Sequence, residues 1–157
     1  MKVDEVMTKN PACCWPSHSA VTAATMMQSR DTGVLPVIQD RFTPTLVGVV
    51  TDRDLCLHVV AGSRDPAHIW VSECMTAEPV CCTAEDDVID ALERMKKHRV
   101  RRLPVVNEKH EVVGILALSD LLRKSAISTD EVAAAIERIC QPRQDTRESM
   151  RDIVTAA

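Results

Sequence analysis

Aromatic side chains are scarce in this chain. Its 157 residues include one phenylalanine, Phe42, two tryptophans, Trp15 and Trp70, and no tyrosine. A site that holds a purine mainly by stacking it between aromatic rings is therefore not expected. If the chain binds a nucleotide, aliphatic side chains and backbone hydrogen bonds must hold the base.

Long apolar runs and an excess of basic charge are also missing. No segment approaches the roughly 18 apolar residues of a membrane-spanning helix, and the N-terminal MKVDEVMTKNP has no apolar stretch typical of a secretion signal. The formal net charge is −4, whereas nucleic acids and anionic membranes attract basic surfaces. We therefore expect a cytoplasmic protein that partners neither nucleic acid nor a membrane.

The seven cysteines show none of the spacings that indicate a metal or disulfide framework. Their number is odd, and there is no C-x-x-C, which favours a reducing compartment. The doublets Cys13-Cys14 and Cys81-Cys82 lie in predicted strands, where adjacent side chains point to opposite faces, so neither doublet chelates a metal by itself. We expect buried cysteines that act as small hydrophobes and no metal site; a metal or redox site assembled across the chain is the alternative.

The chain contains an internal repeat, which organises every later inference. The segment VDEVMTKNPACC, from Val3, matches VSECMTAEPVCC, from Val71, and the same register joins the LPV at Leu35 to the LPV at Leu103. One copy of this size buries too little apolar surface to be stable alone, whereas two copies can share a core. We therefore divide the chain into repeats at 1–62 and 69–124.

Each copy predicts the order strand, helix, strand, strand, helix. The cysteine doublets and the β-branched runs around each LPV indicate strands. Apolar residues at helical spacing indicate the first helix of each copy. A helical extension follows at 126–157, with an N-cap at Ser128. The predicted helical stripes are Ala20, Ala23, Ala24 and Met27; Val88, Ala91, Leu92 and Met95; and Val132, Ile136, Ile139 and Cys140.

Three motifs that occur twice in the same order carry a resemblance to a known family. They are the VMT-x-x-P and CMT-x-x-P openings, the LPV segments, and GVVTDRDL and GILALSDL, which begin at Gly48 and Gly114. The chain resembles a tandem pair of CBS (cystathionine β-synthase) domains of the small stand-alone bacterial type. The resemblance implies an α/β (α+β) fold of two pseudo-symmetric β-α-β-β-α repeats, an adenine nucleotide in the cleft between them, and a homodimer formed through the helices.

The segment GVVTDRDL contains the principal candidate site. By their spacing alone, Thr51 and Asp54 form a capping box at a helix N-terminus. The resemblance implies that the same residues contact the ribose and phosphate of a nucleotide. It also implies that Arg101 and Arg102, directly before the second LPV, face the phosphates bound in the opposite repeat. Arginine suits this role because its guanidinium group can bind two phosphate oxygens at once. We therefore expect the better nucleotide site at Asp54.

The segment GILALSDL predicts a second, weaker site. Ser119 and Asp120 remain, but Ala117 lacks the hydroxyl of Thr51, and the positions equivalent to the arginines are Gly33 and Val34. The base is expected to contact short apolar side chains in the segments that follow each opening motif. These are Ala12, Cys13, Val80 and Cys81.

No nucleophile with a base, metal motif or phosphate-transfer loop indicates an enzyme. The leading hypothesis is a non-catalytic sensor that binds AMP, ADP, ATP or NAD and thereby changes the arrangement of its repeats or of a dimer. One alternative is a thiol- or metal-responsive protein of the same fold that binds no nucleotide. Another is a dimeric interaction scaffold whose basic segment KKHRVRR, 96–102, binds an acidic partner or nucleic acid.

Overall fold

Two small β-sheets flanked by helices form the fold in the computed structural model, which describes residues 1–124 and 127–141. A π-helical turn, Cys56–Val60, continues α3, and a 3-10 turn, Pro66–His68, precedes α4. The strands are β1 (Thr8–Lys9), β2 (Val34–Ile38), β3 (Leu46–Thr51), β4 (Thr76–Ala77), β5 (Cys82–Thr83), β6 (Arg102–Val106) and β7 (Val112–Ala117). The α-helices are α1 (Val3–Val6), α2 (Ala20–Ser29), α3 (Asp52–Leu55), α4 (Val71–Cys74), α5 (Val88–His98), α6 (Leu118–Lys124) and α7 (Thr129–Cys140).

The sheets have the strand orders β2-β3-β4 and β1-β7-β6-β5. The hairpins β2-β3 and β6-β7 are antiparallel, and β5 pairs with β6 in parallel. This mixed α+β architecture with two similar halves confirms the predicted fold class. None of the helices in the described part of the chain is both long and apolar enough to cross a membrane.

The opening segment of each repeat packs in the other repeat. Strand β1 pairs with β7 of the second repeat, and β4 pairs with β3 of the first. Val3 and Val6 are fully buried in the core of the second repeat, and Val71 and Cys74 are buried in the core of the first. The two packing units therefore do not coincide with the sequence repeats at 1–62 and 69–124.

This exchange explains the glycine that begins each GVVT-type segment. Gly48 pairs with Ala77 in the ladder, and a Cβ atom at Gly48 would lie 2.7 Å from Sδ of Met75. A Cβ atom at Gly114 would collide with Sδ of Met7. The glycine of one repeat thus leaves room for the methionine that the other repeat inserts.

The helical stripes are confirmed with local corrections. Helix α5 buries all four predicted residues. Helix α2 buries three of its four, and Ala24 is exposed. The predicted strand at Ala12–Cys14 is reduced to one bridge between Cys14 and Val37. The chain turns directly afterwards, where the amide of His18 donates to the carbonyl of Trp15 at 3.0 Å.

Helix α7 begins as predicted and packs against α5 and α6. Ser128 is its N-cap, and Oγ of Ser128 donates to Glu131 at 2.7 Å. The helix buries Val132, Ala135 and Ile139, whereas the predicted stripe members Ile136 and Cys140 are exposed. The predicted extension beyond residue 141, and its start at 126, lie outside the described residues.

Candidate functional site

The first motif forms the predicted capping box. The amide and Oγ1 of Thr51 donate to Oδ2 of Asp54 at 2.9 and 2.7 Å, and the amide of Asp54 donates to Thr51 Oγ1 at 3.1 Å. Among the described residues, nothing donates a hydrogen bond to the other oxygen of Asp54. That oxygen can accept a ligand hydroxyl, so the ribose role of Thr51 and Asp54 stays a prediction.

A carboxylate covers the glycine that faces the first motif. The amide of Asp52 donates to the carbonyl of Gly33 at 3.1 Å. A Cβ atom built on Gly33 would lie 2.7 Å from Oδ2 of Asp52. Val34 lies opposite Thr51 in the ladder and is buried. The surroundings of Thr51 therefore contain two carboxylates and one cation, Arg53, beside uncharged strand residues, so an anion is less favoured there than beside two arginines.

The second motif keeps half of the capping box. The amide of Ala117 donates to Oδ2 of Asp120 at 3.0 Å, and Nη2 of Arg123 donates to Oδ1 at 3.1 Å. Asp120 is buried, with 4% of its surface exposed. Both of its oxygens already have protein partners, so Asp120 offers less to a ribose than Asp54 does. Ser119 is exposed at the start of α6.

Arg101 and Arg102 lie beside the second motif in the structure. Arg102 is opposite Ala117 in the ladder, and the amide of Leu118 donates to the carbonyl of Arg101 at 2.9 Å. Strand β6 pairs with β7 of its own repeat, so the residues that precede β6 meet the start of α6 in that repeat. The arginines are therefore neighbours of Ser119, and no described contact joins them to Thr51 or Asp54.

A cavity of about 420 Å³ lies at this junction. Nη2 of Arg101 donates to Sγ of Cys140 at 3.3 Å. Within residues 1–124 and 127–141, the guanidinium group of Arg102 has no hydrogen bond or ion pair. The cavity thus combines two guanidinium groups with an apolar lining, a combination that suits an anion with an apolar or flat body. It is lined by Arg101, Arg102, Ala117, Leu118, Ser119, Leu122, Ile136, Ile139 and Cys140.

The four residues predicted to contact the base line other surfaces. Ala12 and Cys13 are half-buried in the first repeat, and Val80 packs against the core of the second. The carbonyl of Cys81 accepts a hydrogen bond from Nη1 of Arg94 at 3.1 Å. None of the four lines the cavity, and their contact with a base stays a prediction.

Burial governs the cysteine doublets. It raises the pKa of the Cys13 thiol to about 11 and the pKa of Cys14 and Cys82 to about 12. These thiols are therefore protonated at neutral pH, which makes them poor nucleophiles and poor metal ligands. Among the described residues, no three His, Cys, Asp or Glu side chains come together as a metal site.

Sequence reasoning missed the part of the cavity that comes from α6 and α7. The helical spacing placed Ile136, Ile139 and Cys140 on one side of a helix, but it held no signal of where that helix docks. Leu122 was not singled out, although it extends from α6 and is 46% exposed. The signal available in the sequence is an apolar residue, Leu122, one helical turn after Ser119.

Comparisons with known proteins agree with this fold. The CBS domain protein YhcV of Bacillus subtilis is 34% identical over 137 residues, covering 87% of this chain and 94% of the relative. Hypoxic Response Protein I, crystallised with two coordinated zinc ions, is 29% identical with a TM-score of 0.71, covering 78% of this chain and 98% of that one. CBSX2 of Arabidopsis thaliana, crystallised with AMP, is 28% identical with a TM-score of 0.67, covering 78% and 94%.

The family profile described as the CBS domain matches the chain at residues 3–61 and again at 71–127. The two matches follow the internal repeat, and each contains one LPV segment and one glycine-to-aspartate motif. The chain therefore belongs to the CBS domain family, as a tandem pair.

Proposed function

We propose that this chain is a non-catalytic regulatory module that binds an adenine nucleotide, with the anionic group held at Arg101 and Arg102. One observation carries the proposal: two arginines that have no carboxylate partner in the described part of the chain line a cavity that also has apolar walls. One guanidinium group can donate two parallel hydrogen bonds to two oxygens of a phosphate. The AMP complex of CBSX2, 28% identical to this chain, supports adenine nucleotide as the ligand class.

The local charges favour the second motif over the first for the anionic group. Arg101 occupies the position that is Gly33 in the first repeat, and there the carboxylate of Asp52 lies over the glycine. A phosphate is attracted by the guanidinium group of Arg101 and repelled by the carboxylate of Asp52. Thr51 and Asp54 remain a second candidate position, where the unused oxygen of Asp54 would accept from ribose.

The size of the cavity favours a mononucleotide. Its volume of about 420 Å³ is at the lower end of the roughly 300–1,000 Å³ that ligand pockets span. AMP therefore suits it better than the dinucleotide NAD. Ligand binding regulates only if it prefers one arrangement of the protein, and the contact between Arg101 and α7 gives the ligand an element to shift.

Titration calorimetry with AMP, ATP and NAD on the full chain tests the proposal. We expect AMP to bind, and Arg102→Ala to weaken it at least tenfold because a charged hydrogen bond to phosphate is lost. Arg41→Ala is the matched control, because Arg41 is an exposed arginine in the β2–β3 connection. If none of the three nucleotides binds, the proposed function is wrong.

We also propose a homodimer through the helices of the first repeat. These helices expose large apolar residues, namely Val21 on α2 and Leu57 and Val60 in the π-helical turn. The corresponding helices of the second repeat, α5 and α6, are in contact with α7. A second copy of the chain would remove this first-repeat face from water, and exposed apolar groups on facing helices favour such packing.

A further inference from the structure

The C-terminal helix contributes part of the lining of the arginine cavity. Ile136, Ile139 and Cys140 all extend from α7 to the cavity. The arginines come from β6 and the residue before it, so α7 adds apolar lining to a cavity whose cationic groups belong to another element. The cavity is complete only while α7 stays docked on α5 and α6.

Two exposed apolar side chains meet at this cavity. Leu122 is 46% exposed and Ile136 is 40% exposed, and both belong to its lining. Large apolar groups left accessible beside a concave surface lower the free energy of the system when a ligand removes them from water. Their positions, on α6 and α7, indicate where the apolar body of a ligand would lie.

The end of α7 also contacts the anion-binding group directly. Cys140 is the last residue of the helix, and its sulfur accepts the hydrogen bond of Arg101 at 3.3 Å. A thiol is a weak acceptor, whereas a phosphate oxygen is a strong, charged one. An anion that reaches Arg101 therefore competes with Cys140 for the same guanidinium group.

We propose that α7 is a ligand-binding element: Ile136 contacts the apolar body of the bound mononucleotide, and Cys140 lies at the edge of the occupied cavity. The inference rests on the proposed function, because it adds residues of α7 to the lining of the same ligand site. It makes the second motif the better site of the pair and makes its affinity depend on a helix that lies outside the CBS repeats.

Cysteine alkylation reports the occupied site, because each motif has an exposed thiol near it. Cys140 borders the arginine cavity, and Cys56 directly follows α3 at the first motif. The remaining thiols are buried or half-buried. The reduced full chain is treated with limiting N-ethylmaleimide with and without AMP, and the rate at each cysteine is followed by peptide mass spectrometry.

We expect AMP to slow alkylation of Cys140 at least threefold and to leave Cys56 unchanged. Ile136→Ala should raise the AMP concentration for half-protection about fivefold, because buried apolar contact with the ligand is lost. Ile89→Ala is the matched control: Ile89 is 55% exposed on α5 and does not line the cavity. Arg102→Ala should raise the AMP concentration for half-protection at least tenfold.

The outcomes separate the two proposals. If calorimetry shows AMP binding but AMP protects Cys56 instead of Cys140, α7 does not contact the ligand. Nucleotide binding is then retained as the function, with the site at the first motif. If Ile136→Ala and Ile89→Ala behave alike while Cys140 is protected, Ile136 is not a ligand contact. If calorimetry detects no nucleotide, the proposed function fails, and the inference fails with it.

Discussion

Ala117 occupies the position that is Thr51 in the first motif, and the exchange removes a hydroxyl from a helix cap. In the first motif that hydroxyl both accepts from the amide of Asp54 and donates to its carboxylate. In the second motif only the bond from the amide of Ala117 to Asp120 remains. The helix start persists in both, so the hydroxyl adds stability to the cap without deciding the fold.

We expect Thr51→Ala to lower the free energy of unfolding by about 1 kcal/mol, because an N-cap hydroxyl is lost. Ala117→Thr should raise it by a similar amount, because the same bond can form with the amide of Asp120. Urea denaturation followed by circular dichroism measures both. Ala134→Thr, at an exposed position of α7, is the control and should be slightly destabilising. Equal destabilisation by Ala117→Thr and Ala134→Thr would contradict the prediction.

Arg101 and Arg102 show that the neighbours of a residue depend on how its strand pairs with other strands. In the densest basic segment of the chain, Lys96, Lys97 and His98 form the last turn of α5. The segment itself does not show which motif Arg101 and Arg102 adjoin, because that follows from the ladder between β6 and β7. The ligand roles of all four candidate residues of the first site remain predictions.

At the scale of elements, the short opening segments have the largest structural effect. The segments α1-β1 and α4-β4 each extend the sheet and enter the core of the other repeat. Each inserts a methionine against a strand glycine. The methionine of the opening motif and the glycine of the later motif therefore form one packing unit, although they are far apart in sequence.

A double-mutant cycle tests this unit. Gly114→Ala should destabilise the protein by about 1–2 kcal/mol, because the added methyl group collides with Met7. In a Met7→Ala background the same change should cost much less, since the three atoms nearest to a Cβ at Gly114 all belong to Met7. The free energies of unfolding of the four proteins give the coupling.

The companion cycle at Gly48 is the control for backbone contacts. A Cβ atom there would also lie 3.1 Å from the carbonyl oxygen of Thr76. Met75→Ala should therefore rescue Gly48→Ala only in part. If Gly114→Ala costs the same with and without Met7, the packing unit is refuted.

At the scale of the whole molecule, pseudo-symmetry holds for the sheets and fails for the outer surfaces. Helix α7 packs on the helices of the second repeat, while the first repeat exposes Leu57 and Val60 in its π-helical turn. The two arginines that line the cavity belong to the second repeat, and Gly33 and Val34 are their equivalents in the first. The two halves therefore share a core pattern but differ on their outer surfaces.

We expect sedimentation equilibrium to show a dimer that dissociates in Leu57→Glu, because a charge at the centre of an apolar interface is costly to bury. Ile89→Glu is the matched control, since Ile89 is equally accessible but belongs to the second repeat. The chain should stay dimeric in that variant. A monomeric wild-type chain, or dissociation by Ile89→Glu alone, would overturn the proposed interface.

The sequence by itself determined the repeat, the helix caps at Thr51 and Ser128, the stripe of α5 and the family. These features arise within a few residues, where side-chain periodicity and cap hydrogen bonds act locally. Tertiary structure alone decided the exchange of the opening segments, the grouping of Arg101 with Ser119, and the docking of α7. Each of these depends on which distant strands pair and which apolar faces are buried together, and a pattern of local spacings does not carry that information.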